Sequence, residues 1–298
     1  MTQPPFVSVV IPTWNRAGLL PGCIASLATQ DHPMDQWELL IVDDGSADET
    51  ADVMARLQKD PAVVASGMTL RYEPRPHEGL NATRNAGIAA ARGELICFLD
   101  DDCITPPDWL SSLVSGVAAH PGAVAYGGPI ELVVEGRTPR TCGREEIGET
   151  SQGWGPDVCE PTTLFGSNLA ITREAVQRFG LFDTDIVCGS GDETEWLTRA
   201  QRQGAKLLYL PAARVIHRRR PEDVRLRRLC ARRFSRGRGQ IGSAAGTGES
   251  YRLGSEINQV LRSLAHSVRH RCALGLLPVA MSGGRVVGLI GRGRVKAP

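Results

Sequence analysis

Two runs, at residues 7–11 and 37–42, are apolar on both faces of any strand they could form, and this limits the fold more than any other feature of the chain. A strand with two apolar faces belongs inside a parallel sheet covered by helices on both sides. The first run is closed by Pro12 and the second by Asp43-Asp44-Gly45-Ser46. Between them Leu20, Ile24 and Leu27 recur at helical spacing, which predicts a helix over 19–29 and completes a β-α-β unit. The alternation continues with a helix near 47–59, a strand at 69–72, a helix at 81–91 and a strand at 95–99. The fold predicted is α/β, with a doubly wound, mostly parallel central sheet flanked by helices. In such sheets ligands bind beyond the carboxyl ends of the strands, and here those ends are acidic.

After Asp102 the pattern loosens, and a Gly/Pro/polar stretch over 136–163 is long for a structureless loop. It carries Trp154 between glycines, which suits either an acceptor-side aromatic surface or the core. Order is expected to resume with a strand at 168–171, helices at 174–179 and 192–203, and strands at 206–210 and 214–216. From His217 the chain turns arginine-rich and helical, with ten arginines between His217 and Gly239. Subdomain boundaries are therefore expected near residue 218, with 218–298 as a helical extension.

Composition excludes several classes. A chain of 298 residues with 42% hydrophobic side chains is not disordered. Its 34 basic and 33 acidic side chains leave a net charge of +1, so no global field favours nucleic acid as a partner. Eight cysteines without a C-x-x-C pair read as buried hydrophobes in a reducing compartment, not as a disulfide frame or zinc site. The N-terminus lacks a basic leader, and the most apolar late segment, 272–284, is interrupted by Pro278 and followed by Arg285. A cytoplasmic protein is expected, with peripheral contact at the inner face of a membrane through the basic C-terminal region.

Four polar groupings carry chemistry. Asp100, Asp101 and Asp102 close the strand at 95–99; hard oxygen donors in that number suit Mg2+ or Mn2+ and substrate phosphates, while a solvated acidic turn before Pro106 is the plainer reading. Asp43 and Asp44 end the second strand, where Ser46-x-x-Glu49 also has the pattern of a capping box. Arg84 falls near the start of the 81–91 helix, where a bound phosphate would offset an unfavourable dipole. Asp192 and Glu193 open a further helix, where carboxylates are stabilised by the dipole and one could act as general base.

Taken together, VSVVIPTWNR (7–16), VDDGSADET (42–50), GLNATRNAGIAAARGELICFLDDDC (79–103), GSNLAITREAVQRFGLFD (166–183), and GDETEWLTRA with LYLPAARVIH (191–217) resemble a family 2 glycosyltransferase of the GT-A fold, over about residues 6–217. The resemblance implies an inverting transfer from a nucleoside-diphosphate sugar to an acceptor hydroxyl, in a catalytic domain at 1–217 whose nucleotide-binding half is 1–103 and acceptor-binding half 104–217. It places Pro12, Thr13, Asn15 and Asp44 at the nucleoside, Arg84 at the diphosphate, and Asp101 towards the ribose. It gives Mn2+ or Mg2+ to Asp100 and Asp102 with His217, and sets Gly166, Ser167 and Asn168 beside the donor sugar. The general base it implies is Glu193, with Asp192 as the fallback, because this chain has Asp-Glu where the family usually has Glu-Asp. The acceptor stays open among a glycan, a lipid-linked sugar and a small natural product. A sugar-nucleotide nucleotidyltransferase and a non-catalytic sugar-nucleotide-binding protein are the alternatives.

Overall fold

The computed structural model describes residues 4–142, 153–186, 192–247 and 250–293, with side chains described for all of these except 192, 242–247, 292 and 293. In chain order the elements are β1 (Val7–Thr13), α1 (Leu20–Leu27), β2 (Trp37–Asp43), α2 (Thr50–Leu57), α3 (Pro61–Ser66), β3 (Thr69–Pro74), α4 (Leu80–Ala90), β4 (Leu95–Leu99), β5 (Cys103–Ile104) and α5 (Trp109–Ala119). There follow β6 (Ala125–Gly127), β7 (Ile130–Val134), β8 (Asn168–Thr172), α6 (Arg173–Phe179), α7 (Asp192–Arg202), β9 (Leu207–Tyr209), β10 (Val215–Arg219), α8 (Leu226–Thr247), α9 (Leu253–Arg269) and α10 (Leu276–Gly293).

Seven strands form one sheet in the order β3-β2-β1-β4-β8-β6-β9, and three form a second in the order β5-β10-β7. In the large sheet β1 pairs in parallel with β2 and β4, β2 with β3, and β6 with β9, while β8 runs antiparallel to both its neighbours. Every residue of β1, β2 and β4 is buried, as the two-faced apolar runs require. The fold is therefore the α/β, mostly parallel arrangement expected from the sequence.

The differences are local. The predicted 47–59 helix ends earlier, because Asp60 accepts from the amides of Ala62 and Val63 and starts α3 with Pro61 in its first position. Helix α5 forms in the stretch after Asp102 where the sequence pattern loosens; its Leu110, Leu113, Val114 and Val117 are buried at helical spacing.

The chain divides into two compact units, Met1–Val133 with Thr150–Phe182 and Trp196–Arg218, and Val134–Glu149 with Asp183–Glu195 and Arg219–Pro298. The second unit contains α8, α9 and α10. Pro278 does not interrupt α10, in contrast to the sequence expectation. It is the third helical residue, where its missing N–H is one of those with no intrahelical acceptor. Residues Ala273–Gly291 thereby form a helix long and apolar enough to cross a bilayer by length and composition alone.

Candidate functional site

Strand register assembles the acidic cluster. Val7 lies opposite Leu95 and Val10 opposite Phe98, so continuing the β1–β4 pairing brings Asp101 level with Thr13, whose hydroxyl donates to Asp101 Oδ2 at 2.8 Å. Beyond the triplet, β5 pairs antiparallel with β10, which sets His217 opposite Cys103, and the Arg218 amide donates to the Asp102 carbonyl at 3.0 Å. The imidazole of His217 is fully buried, with Nε2 2.7 Å from Asp102 Oδ1 and 3.9 Å from Asp100 Oδ2. Asp100 and Asp102 thus share one locus with His217, which is far from them in sequence. They offer hard oxygen donors and one imidazole nitrogen, a donor set that fits Mn2+ or Mg2+.

Asp101 and Asp102 are buried, so the reading of a solvated acidic turn does not hold. Arg16 supplies the balancing charge. Its Nη1 is 2.8 Å from Asp101 Oδ1 and its Nη2 is 2.5 Å from Asp102 Oδ2. Burial acts to lower the pKa of this guanidinium, but the three aspartates together raise it above its ordinary value. The Asp101 carboxyl is pushed up to about 7, chiefly by burial and against the pull of Arg16. Burial drives the Cys23 and Cys103 thiols well above the ordinary cysteine range, reinforced at Cys23 by all three aspartates and at Cys103 by Asp100 and Asp102. Arg16 was absent from the residues singled out in the sequence; its signal was a cation one position past Asn15, at the same strand end.

The end of β2 is organised by its own carboxylates. Asp43 accepts from the Ser46 amide and from the Tyr72 hydroxyl. Asp44 Oδ1 accepts from the amides of Glu78 and Gly79, and its Oδ2 lies 2.8 Å from His77 Nδ1. Asp44 therefore holds the 77–79 turn and presents a negative charge to the N-terminus of α4. Gly45 is required here, because it sits at φ 70° and a Cβ would lie 2.7 Å from the His77 nitrogen. The Ser46-x-x-Glu49 capping box does not form. Ser46 Oγ instead accepts from the Asn15 amide, and Asn15 Oδ1 accepts from Ala47, tying the ends of β1 and β2 together. Next to Asn15, Trp14 is 48% exposed and stacks on His77 at 4.4 Å. This aromatic pair too went unnoticed in the sequence.

Arg84 is the fifth residue of α4 and is buried, its guanidinium 5.6 Å from the Phe182 ring centroid, so it does not snorkel to solvent. Asn168 is also buried. Its amide donates to the Ala213 carbonyl at 2.8 Å and accepts from Trp109 Nε1 at 3.2 Å. Gly166 and Ser167 precede it, and the Ser167 carbonyl faces the Cys103 thiol at 3.5 Å. β1 runs through Pro12 to Thr13, two residues beyond the run expected from the sequence. Trp154 is 42% exposed and is not a core residue. Residues 143–152 of the same stretch lie outside the described residues.

Asp192 and Glu193 open α7, and Glu193 is half-buried; the Asp192 side chain and Gly191 lie outside the described residues. Farther along the helix Trp196 Nε1 donates to the Gly180 carbonyl at 2.8 Å, and Arg199 donates to the carbonyls of Phe179 and Leu181. These bonds fix the later turns of α7 to the chain after α6.

The mostly parallel α/β sheet gathers its acidic side chains at the carboxyl ends of β2 and β4, where α/β sheets bind their ligands, and the comparisons identify the family. The description Glycosyl transferase family 2 matches residues 8–180, and the chain belongs to this family. Among its relatives is Glycosyltransferase AglE of Haloferax volcanii, 27% identical over 80% of this chain and 73% of that protein. The glucosyl-dolichyl phosphate glucuronosyltransferase of the same organism is 27% identical over 71% of this chain and 68% of its own length. Other relatives are matched over half of their length or less. Of the solved structures, the mannosyltransferase PcManGT from Pyrobaculum calidifontis, in complex with GDP-Man and Mn2+, superposes with a TM-score of 0.62 at 18% identity, covering 100% of this chain and 77% of that one. The fold is that of the GT-A glycosyltransferases, and the protein is a glycosyltransferase.

Proposed function

We propose that the chain transfers a sugar from a nucleoside-diphosphate donor to an acceptor hydroxyl with inversion at the anomeric carbon. The observation that carries this reading is the meeting of Asp100, Asp102 and His217 at the end of β4, with Arg16 bridging Asp101 and Asp102. Asp100, Asp102 and His217 would hold Mn2+ or Mg2+, which when bound offsets the negative charge that builds on a diphosphate leaving group. The Mn2+ in the structural neighbour supports a divalent ion.

The chain's own residues do the rest. Pro12, Thr13, Asn15 and Asp44 border the nucleoside, and the exposed Trp14 adds an aromatic surface beside them. Asp101 faces the ribose, and Arg84 contributes positive charge at the diphosphate. The backbone of Gly166 and Ser167 borders the donor sugar, held there by the buried Asn168. Glu193, with Asp192 as the fallback, takes the proton of the acceptor hydroxyl on the face opposite the leaving group. Domain roles follow, with 1–103 for the nucleotide, 104–217 for the acceptor and 218–298 as the helical extension.

The acceptor is assigned to a lipid-linked sugar at the cytoplasmic face of a membrane. Along α9, Leu253, Ile257, Leu261, Leu264 and Val268 are exposed at helical spacing, flanked by the exposed Arg252, Arg262 and Arg269. An apolar stripe edged with arginines suits the interface of an anionic bilayer. One relative is named for a dolichyl-phosphate-linked acceptor.

A panel of nucleoside-diphosphate sugars with Mn2+ and polyprenyl-phosphate-linked sugars tests the proposal by release of nucleoside diphosphate and by NMR of the new anomeric centre. Inverted product, with Glu193→Gln slower by about 10²–10⁴-fold, is expected. A product of retained configuration would rule the mechanism out.

A further inference from the structure

We infer that the second unit contains a thiolate–imidazole site for a zinc-class divalent ion, made by Cys142, His266 and Cys272. Their ligand atoms all lie within 4.8 Å of one another, and Cys142 Sγ is 3.2 Å from His266 Nε2. Two thiolates and an imidazole on tetrahedral zinc are separated by roughly 3.5–3.8 Å, as follows from Zn–S near 2.3 Å and Zn–N near 2.0–2.1 Å. The three donors thus need only small adjustments to close on one ion. Soft sulfur with imidazole nitrogen selects zinc-class metals over Mg2+ and Mn2+. This inference is independent of the sugar-transfer reading, whose metal would be held by carboxylates and His217.

The backbone is shaped to bring these residues together. Helix α9 ends in a Schellman-type turn, in which the Arg271 amide donates to the Val268 carbonyl and the Cys272 amide to the Ser267 carbonyl. Arg271 takes the left-handed position at φ 46°, where glycine is usual, and the turn folds Cys272 back towards His266. Gly275 is needed for the close approach, because a Cβ there would lie 2.4 Å from Ser267 Oγ and 3.1 Å from His266 Cδ2. The amides of Ala273 and Leu274 both donate to the Arg140 carbonyl, which carries Cys142 to the same place.

Outer-shell partners are also in position. Burial acts to raise the Cys272 thiol, but hydrogen bonds from its fellow ligand Cys142, and from the outer-shell Gly275 amide and Thr141 hydroxyl, outweigh it and hold the thiol below the ordinary cysteine value. Such donors orient a thiolate ligand and stabilise its charge. Cys272 is buried and His266 half-buried, while Cys142 is exposed, so ions have an entry path. Three protein ligands leave a fourth position for water or another exogenous donor. An ion here would pin the 140–142 segment to the end of α9. The sequence expectation of cysteines acting only as buried hydrophobes missed this grouping because Cys142 and Cys272 are 130 positions apart, beyond any spacing rule.

Titration of the reduced, untagged full chain with Co2+ tests the inference, read by the thiolate-to-cobalt charge-transfer band and the visible bands of tetrahedral cobalt. The charge-transfer band is expected to saturate with one equivalent and to be abolished by Zn2+, whatever further Co2+ the carboxylate site takes up without a thiolate band. Cys142→Ser and His266→Asn should each weaken binding by at least about 100-fold, beyond the usual cost of an outer-shell change. Because Cys142 is exposed, its serine variant should fold normally, as judged by circular dichroism. Cys230→Ser and Asp102→Asn should leave the bands unchanged. Absence of the charge-transfer band in the reduced chain, or its survival in Cys142→Ser, would overturn the inference. So would its loss in Asp102→Asn, which would place the bound ion at the aspartates.

Discussion

Arg16 reaches from the end of β1 to Asp102 at the end of β4, its Nη2 2.5 Å from Asp102 Oδ2, while Nη1 holds Asp101 at 2.8 Å. The chain thus carries an internal cation against two buried carboxylates of the site proposed to hold a metal. Removing one partner of such a cluster leaves uncompensated buried charge. With Arg16 29% exposed, Arg16→Ala should cost about 2 kcal/mol, less than a fully buried pair. Lysine should not restore this, since it cannot make both contacts. Urea unfolding with and without Mn2+ checks the point, and the ion should stabilise Arg16→Ala more than the wild type.

Glu38 gives the pH prediction. It is fully buried on β2, where it accepts from Ser8 Oγ and the Arg92 amide at 2.8 Å and from Arg71 Nη1 at 3.0 Å. Burial acts to raise its pKa, but these hydrogen bonds and the Arg71 charge outweigh it, and the folded value lies below the ordinary one. Its contribution is therefore complete above about pH 4.3 and is lost as pH falls through the lower folded value. Glu38→Gln should be less stable than wild type by about 2 kcal/mol at neutral pH, with the gap narrowing in acid. Urea midpoints measured across that range provide the check.

The buried amide of Asn168 joins Trp109 to the Ala213 carbonyl. Asn168→Ala should destabilise by about 2 kcal/mol, because two buried polar groups lose their partner. Trp109→Phe removes one of the same bonds. The double variant should consequently lose less than the sum, with a coupling of at least about 0.5 kcal/mol in thermal unfolding.

Trp14 should behave in the opposite way. Being 48% exposed, its replacement by alanine should leave stability within about 0.5 kcal/mol. If a nucleobase stacks there, calorimetry should show nucleoside-diphosphate affinity falling about fivefold or more, the low end of measured base–aromatic stacking.

For the membrane contact, Leu261→Glu with Val268→Glu should abolish sedimentation with anionic vesicles at low salt. Donor hydrolysis in the absence of membrane should be unchanged, since both residues lie on the exposed face of α9.

The sheet was legible because burial on both faces writes itself into consecutive residues, as in Val7–Thr13 and Trp37–Asp43. The acidic triplet was equally plain, since its three residues are adjacent. What joins the triplet to distant groups was less visible to pattern reading. His217 arrives through an antiparallel pairing of the two-residue strand β5, and Arg16 through a side chain spanning two strand ends. Near 47–60 the helix starts later than expected because Ser46 accepts from the Asn15 amide instead of capping, and it ends early because Asp60 caps α3. In α10, Pro278 does not break the helix because it lies in the first turn, where proline is compatible with the helix.

Calorimetric titration of UDP and GDP into the wild type and Asp102→Asn, each with and without Mn2+, tests the central claim most directly. The account predicts that at least one nucleoside diphosphate binds the wild type tightly only with Mn2+, and that Asp102→Asn loses this enhancement while remaining folded. Metal-independent binding, or an Mn2+ enhancement of equal size in both proteins, would contradict it.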